Sequence, residues 1–310
     1  MKKLLPRQST ILFILITLSL LFNTCSYKLL LKNLYDNHEK NQQLTFNLIQ
    51  RQSSNLLTKL LHEYTKQKDI LLQKHNQVLS YLEKKSYDNS LDEIYKKINK
   101  SDNPFYNIYI TDENLIINNT TFKPDLGFNL SFAKDIFDKH KDNHLIGVSP
   151  PIFETYSLKF FSFSDSYLPK NDKRILQVGY TYESLNKDLE DLQFLINENK
   201  NIKESTAYLI FDDGYIGDFV FKSIKAHKPT LEEVNKRIEK GKMLSNSIKY
   251  GEYKIEYQDD EKRYKILYFM EKSPIFDEAK IVYSLIFDEK DYQNDLKLLD
   301  IAMFLISLIG

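Results

Sequence analysis

Within Phe160-Phe161-Ser162-Phe163-Ser164-Asp165-Ser166-Tyr167 the residues Phe161, Phe163, Asp165 and Tyr167 alternate. A strand places all four on one face. A carboxylate among aromatic rings suits an ammonium ion, because the carboxylate pairs with the charge while the ring faces attract it. Tyr109 and Tyr180 lie in neighbouring apolar runs and complete the candidate ligand-binding set, with an amine or quaternary ammonium as the ligand chemistry. The alternative is that these rings are core, since aromatic residues are enriched in strands.

Other chemistry is thinner. His140 and His144 stand four apart with Asp138 and Asp142 beside them, a spacing that can put two imidazoles on one helix face for a divalent metal. Asn143 and Gly147 end the helix there, however, so a solvated polar terminus is the reading adopted and no metal site is expected. His62-Glu63 lacks the second histidine of a zinc-protease motif, Lys66 standing in its place, and reads as a helix-surface pair. His38, His75 and His227 have no evident partners in the sequence. Asp112, Asp212, Asp213, Asp259 and Asp260 are explained by turn chemistry, Asp bonding its own backbone there. Asn118 and Asn119 match glycosylation acceptors, to which no role is given. There is no glycine-rich phosphate loop, nucleophile elbow or spaced acid/base pair, so no catalysis and no cofactor are expected of this chain.

The elements that must position these groups follow from composition. With 310 residues, 42% of them hydrophobic, the chain can bury a core, and two domains are the starting expectation. Forty-three basic residues balance 43 acidic ones, which removes the long-range field that draws proteins to nucleic acid. The single Cys25 excludes a disulfide framework. Residues 8–27 carry no charge and follow Lys2, Lys3 and Arg7, enough for a bilayer-spanning helix with a cytoplasmic N-terminus. The alternative is a cleaved or lipidated leader at Phe22-Asn23-Thr24-Cys25, which lacks the small residue before the cysteine. Residues 301–310 are uncharged, and the expectation is that position 310 interrupts a second membrane helix.

Residues 7–103 contain neither Gly nor Pro, so one long helix is expected, with Leu57, Tyr64, Leu71 and Val78 seven apart and Leu60, Leu61, His75 and Leu82 widening the same face. Short runs rich in Tyr, Phe, Ile and Val then predict strands at 106–111, 115–121, 145–153, 158–167 and 174–182, with a short helix inside 126–141 and a helix from Ser184, its N-cap, to about 199. A second unit repeats the plan: strands at 208–213 and 215–221, a helix from Thr230 to 240, and strands near 247–257, 263–272 and 280–287, then a helix from Asp288. Asp112 and Asp212 sit a hundred positions apart in matching contexts, a weak internal repeat.

The runs Tyr109-Ile110-Thr111-Asp112-Glu113-Asn114, Phe122-Lys123-Pro124-Asp125-Leu126-Gly127-Phe128-Asn129-Leu130-Ser131 and Leu176-Gln177-Val178-Gly179-Tyr180, with the aromatic strand above, resemble the distal module of double-Cache sensors. The resemblance covers most of the chain. It implies an α+β fold in which a long N-terminal helix packs on two tandem PAS-like antiparallel-sheet modules between transmembrane helices. The implied layout is a cytoplasmic N-terminus at 1–8, a membrane helix at 9–27, a helical stalk at 28–103, a membrane-distal module at 104–183, a connecting helix at 184–204, a proximal module at 205–288 and a returning helix at 289–310. It also implies the periplasmic input region of a histidine kinase, diguanylate cyclase or chemoreceptor in the inner membrane, binding a small molecule and working as a homodimer. The amino-acid-binding subclass uses a Trp, and this chain has none. A carboxylate clamp in the distal module falls to Arg174, with Lys123 and Lys159 as substitutes. Two other readings stay open: a stand-alone binding lipoprotein anchored at Cys25, and an interaction protein without ligand.

Overall fold

A computed structural model describes residues 6–84, 90–100, 105–142, 145–154, 157–169, 171–212, 214–222, 229–258 and 263–309. Its dominant element is helix α1, Pro6–Leu82, 77 residues and about 115 Å long at the α-helical rise. Phe46, Ile49, Leu56, Leu57, Leu60, Leu61, Tyr64, Leu71, Val78 and Leu82 form its buried stripe. The helix stops short of the expected 103. The sequence from Lys84 to Ser90 offers no aliphatic side chain to a core and is rich in Ser, Asp and Asn, which compete for backbone hydrogen bonds. A separate short helix, α2, Asp92–Ile98, buries Ile94 and Ile98, and Lys74 of α1 donates to the Ile98 carbonyl at 2.8 Å.

The first sheet comprises β1 Tyr106–Thr111, β2 Ile117–Thr120, β3 Gly147–Val148, β4 Ile152–Glu154, β5 Lys159–Leu168 and β6 Asn171–Thr181, ordered β2-β1-β6-β5-β3 with β4 also paired to β5. The single strand expected at 145–153 is broken into β3 and β4 at Pro150-Pro151, where the ladder loses its donors. Helix α3, Lys134–Asp142, lies on β5, and α4, Asn186–Glu198, leads to the second sheet. Ser184 does not cap α4: it sits inside a 3-10 turn, and the N-cap position is Leu185 without a side-chain hydrogen bond.

The second sheet comprises β7 Ile202–Phe211, β8 Ile216–Lys222, β9 Tyr253–Gln258, β10 Tyr264–Lys272 and β11 Ala279–Asp288, ordered β8-β7-β11-β10-β9. With β3 and β4 counted as halves of one strand, both antiparallel sheets run 2-1-5-4-3, so the weak repeat in the sequence is a real repeat of topology. Its offset is 99, not 100. Asp112 N–H donates to the Ile116 carbonyl as Phe211 N–H does to Tyr215, and Leu115 pairs with Asp112 as Gly214 does with Phe211. Asp212 is therefore not the counterpart of Asp112.

Helix α5, Leu231–Ser247, opens with a reciprocal capping box between Thr230 and Glu233. Thr230→Ala is expected to cost about 1 kcal/mol, with Thr230→Ser recovering most of it, as read from urea midpoints of the detergent-solubilised chain. One face of each sheet packs on the α1 stripe, through Ile108, Ile110, Leu176 and Val178 in the first and Leu209, Ile281, Tyr283 and Leu285 in the second. The modules meet through Phe153 and Phe160 against Phe221 and Phe219, with ring centroids 6.0 Å apart in both pairs.

Helix α6, Lys290–Ile309, returns along α1. Tyr27 donates to Asp300 at 2.7 Å, His38 lies 2.8 Å from Glu289 and stacks on Tyr292, and the buried Lys265 reaches Glu39. Among the described residues one helix, α1, is long and apolar enough to cross a membrane.

Candidate functional site

Pleat parity decides which side chains can meet. On β5 the residues Phe160, Ser162 and Ser164 face α1, and Phe161, Phe163, Asp165 and Tyr167 occupy the outer face. Register places Gly179 opposite Phe163, and Gln177 opposite both Asp165 and Tyr109. Five of the six expected residues therefore share one face. Tyr180 does not: it pairs with Ser162 and Tyr106, its ring lies 4.9 Å from Tyr182, and its hydroxyl is 3.4 Å from Glu63 of α1. It belongs to the stalk side of the sheet, which also makes Glu63 more than a surface residue.

The outer face is an aromatic box. Tyr109 and Phe163 meet edge to face at 5.5 Å, Phe163 stacks with Phe161 at 5.8 Å, and Phe122 closes on Phe161 at 5.8 Å. Gly179 is its floor. A Cβ there would stand 2.8 Å from Phe163 and 3.0 Å from Tyr109, so the rings rest on bare backbone. The Tyr109 hydroxyl is buried with no hydrogen-bond partner. Burial, then the charge of Asp125, push this phenol well above its ordinary pKa. Asp125 is itself only 4% exposed, on the 3-10 turn Lys123–Asp125. A buried hydroxyl left unbonded costs about 1–3 kcal/mol, so the Tyr109–Asp125 corner is where an incoming polar group gains most.

Asp165, expected to hold an ammonium, is already bound. His140 Nδ1 lies 2.7 Å from its carboxylate, and His140 packs so closely on Gly147 that a Cβ there would stand 2.0 Å from the ring. The carboxylate raises the His140 pKa by hydrogen bonding. Tyr167 donates to Asp138 at 2.5 Å with Lys141 over its ring. These contacts bolt α3 to β5, so the polar residues near His140 serve a helix–strand clamp. His144 lies outside the described residues, and among those described no three His, Cys, Asp or Glu gather as metal ligands.

The remaining candidates are placed as follows. Arg174 donates from Nε to the Thr111 carbonyl at 2.7 Å, Lys123 bonds the Thr120 carbonyl, and Lys159 pairs with Glu183 at 2.6 Å, so all three hold structure around the box. Asp112 accepts from Asn114 and Ile116 backbone N–H groups as a turn residue. Asp213, His227, Asp259 and Asp260 lie outside the described residues. Two histidines without expected partners have them. His38 joins Glu289, and His75, fully buried on α1, bonds Ser164 at 2.9 Å and Ser166 at 2.8 Å. Those two serines flank Asp165 on β5, so the stalk grips the strand that carries the box.

No family model matches the sequence, and no curated protein matches it. Among solved structures it is similar to an extracellular ligand binding receptor from Desulfohalobium retbaense, at 11% identity and a TM-score of 0.34, covering 78% of this chain and 40% of that one. It is similar to the ligand-binding domain of a Campylobacter jejuni chemoreceptor in complex with 4-methylisoleucine, at 15% identity and a TM-score of 0.31, covering 84% and 94%. The ligand-binding domain of the Pseudomonas aeruginosa amino acid chemoreceptor PctC in complex with GABA follows at 10% identity and a TM-score of 0.35, covering 79% and 100%. The chain thus spans less than half the length of the first of these.

Proposed function

We propose that this chain is the ligand-sensing input region of a bacterial transmembrane receptor of the double-Cache kind. In this reading α1 and α6 cross the inner membrane, the two sheet modules stand in the periplasm, and two copies work as a homodimer. The observation that carries it is the continuity of α1: one helix contains the uncharged span 8–27, passes the proximal sheet, and is gripped at His75 by the distal strand β5. The repeated 2-1-5-4-3 sheet on that helix supports the family resemblance.

A small molecule enters the distal module at the Tyr109–Asp125 corner, with an amine as the favoured chemistry because the buried charge there is a carboxylate among rings. Occupancy displaces Phe163 and Tyr109 from Gly179, shifts β5, and is passed to α1 through Ser164, Ser166 and His75. Binding one arrangement tenfold better than the other biases the pair by about 1.4 kcal/mol, enough to move a balanced switch. No catalytic step is assigned to the chain.

The test uses the full chain in nanodiscs. Small amines and neutral analogues are screened by thermal shift, and the amine that stabilises the wild type is titrated against Asp125→Asn, for which about tenfold or weaker binding is expected. Unaltered affinity in Asp125→Asn removes the corner from the reading. Labelling of residues 106–181 from the cytoplasmic side of sealed vesicles would remove the receptor topology.

A further inference from the structure

The proximal sheet repeats the distal box position by position. Tyr109 faces Gln177 as Tyr208 faces Val282; Asn107 and Phe163 flank Gly179 as Thr206 and Tyr268 flank Ser284. Tyr208 thus stands where Tyr109 does, Tyr268 where Phe163 does, and Ser284 where the glycine floor is. Tyr208 and Tyr268 are each 1% exposed and lie on the face away from α1, in the cluster with Leu244 of α5.

Two independent features mark this face. Ser284 is 1% exposed and its hydroxyl has no hydrogen-bond partner, although its row places it between Thr206 and Tyr268 on the box side. The charges are also unequal. Arg237 meets Asp218 at 2.9 Å and Lys254 meets Glu256 at 2.7 Å, while Glu204 accepts from Thr206 at 2.9 Å and, among the described residues, makes no ion pair. With Asp218 and Glu256 each paired to a cation, one carboxylate in excess beside two buried tyrosines and an idle hydroxyl matches a single positive charge with N–H donors.

We propose that the proximal module carries a second ligand site, for a small organic monocation, built from Glu204, Thr206, Tyr208, Tyr268 and Ser284. Glu204 supplies the countercharge, the two rings flank the cation, and Ser284 accepts one of its N–H groups. A metal ion suits the face poorly, because phenol and serine oxygens outnumber its one unpaired carboxylate. The site is independent of the distal corner and stands or falls without it.

The probe is ethanolamine hydrochloride, with ethylene glycol as the neutral control, in equilibrium dialysis against the full chain in nanodiscs. The Asp125→Asn chain is expected to keep one equivalent of bound ethanolamine. Adding Glu204→Gln weakens it about tenfold or more, and adding Ser284→Ala weakens it about threefold while leaving the thermal midpoint equal or higher, since the lost hydroxyl had no partner. Absence of binding to Asp125→Asn, equal binding of ethylene glycol, or affinity unmoved by both Glu204→Gln and Ser284→Ala overturns the proposal. If the wild type binds two equivalents and Asp125→Asn keeps both with unaltered affinity, the distal reading fails and this one does not.

Discussion

Phe160→Ala lowers the stability of the chain by about 3–5 kcal/mol, the range for deleting a fully buried phenylalanine. The side chain is 0% exposed and touches both modules at once, packing on Phe153 at 5.2 Å and on Phe219 at 6.0 Å. Phe153 in turn meets Phe221, so four rings form the hinge between β4/β5 and β8. Beside them Tyr215 reaches the Pro150 carbonyl at 3.3 Å, and Gly217 packs so closely that a Cβ there would stand 3.3 Å from the Pro151 carbonyl. Losing the central ring opens a cavity that α1 cannot fill, because the stalk is already packed on both sheets. Urea unfolding of the detergent-solubilised chain, followed by tyrosine fluorescence, is therefore expected to show an earlier midpoint and a broader transition as the modules begin to melt separately. Phe194→Ala is the control. That ring is 67% exposed, and its loss should move the midpoint by no more than about 0.5 kcal/mol. An equal effect of the two substitutions would show that the modules are held together by α1 alone.

The coupling matters because α1 and these four rings tie the first sheet to the second. In the α1 route the two serines that bond His75 bracket Asp165, whose carboxylate faces the other way and holds α3 through His140. One strand therefore carries the clamp on the box cover and the grip on the stalk, back to back. At the far end Glu289, the residue before α6, joins His38 of α1, so both helices meet the proximal sheet where it ends.

Alternation along β5 was enough to place Phe161, Phe163, Asp165 and Tyr167 together, since period-two patterning fixes faces without any knowledge of partners. It could not place Tyr180. Faces of β6 relative to β5 depend on the connection between them, where the register slips at Tyr167/Leu168, and no residue type announces that slip. Asp125 lies in the run 122–131, which in the sequence carries only the family resemblance, and its burial accompanies the packing of Phe122, Phe128 and Leu130 with Tyr109. His75 was legible as part of the buried stripe with Leu71 and Val78, but its partners are 89 and 91 residues away and depend on how the sheet docks. The repeat was visible through two aspartates, yet its true offset is set by backbone hydrogen bonds, which carry no residue identity. Interior rings and carboxylates thus declared their chemistry in the sequence, whereas the pairing of Asp165 with His140 belongs to tertiary geometry.

Acidification from pH 7.5 to 4.5 is expected to remove about 2–3 kcal/mol of stability through His75 alone. Burial is the main cause of its low pKa, about 4 in the fold against an ordinary 6.5. Because the folded value is depressed, the unfolded chain takes up the proton first. Stability is full above about pH 6.5, falls through the window between the two values, and levels off below about 4. The hydrogen bonds fix the tautomer of the neutral ring. Ser164 gives its own proton to the Val178 carbonyl, so it accepts from His75 Nδ1–H, and Nε2 is left to accept from Ser166. A second proton on the ring would set Nε2–H against the Ser166 hydroxyl hydrogen and force that serine to turn. His75→Gln keeps an amide that can donate and accept but cannot titrate in this range. Its pH 7.5 to 4.5 loss should be smaller than that of the wild type by about 2–3 kcal/mol, measured as the difference between urea curves at the two pH values. Parallel losses in wild type and His75→Gln would mean that the ring is hydrated in the fold and that α1 is not gripped by β5 through a neutral imidazole.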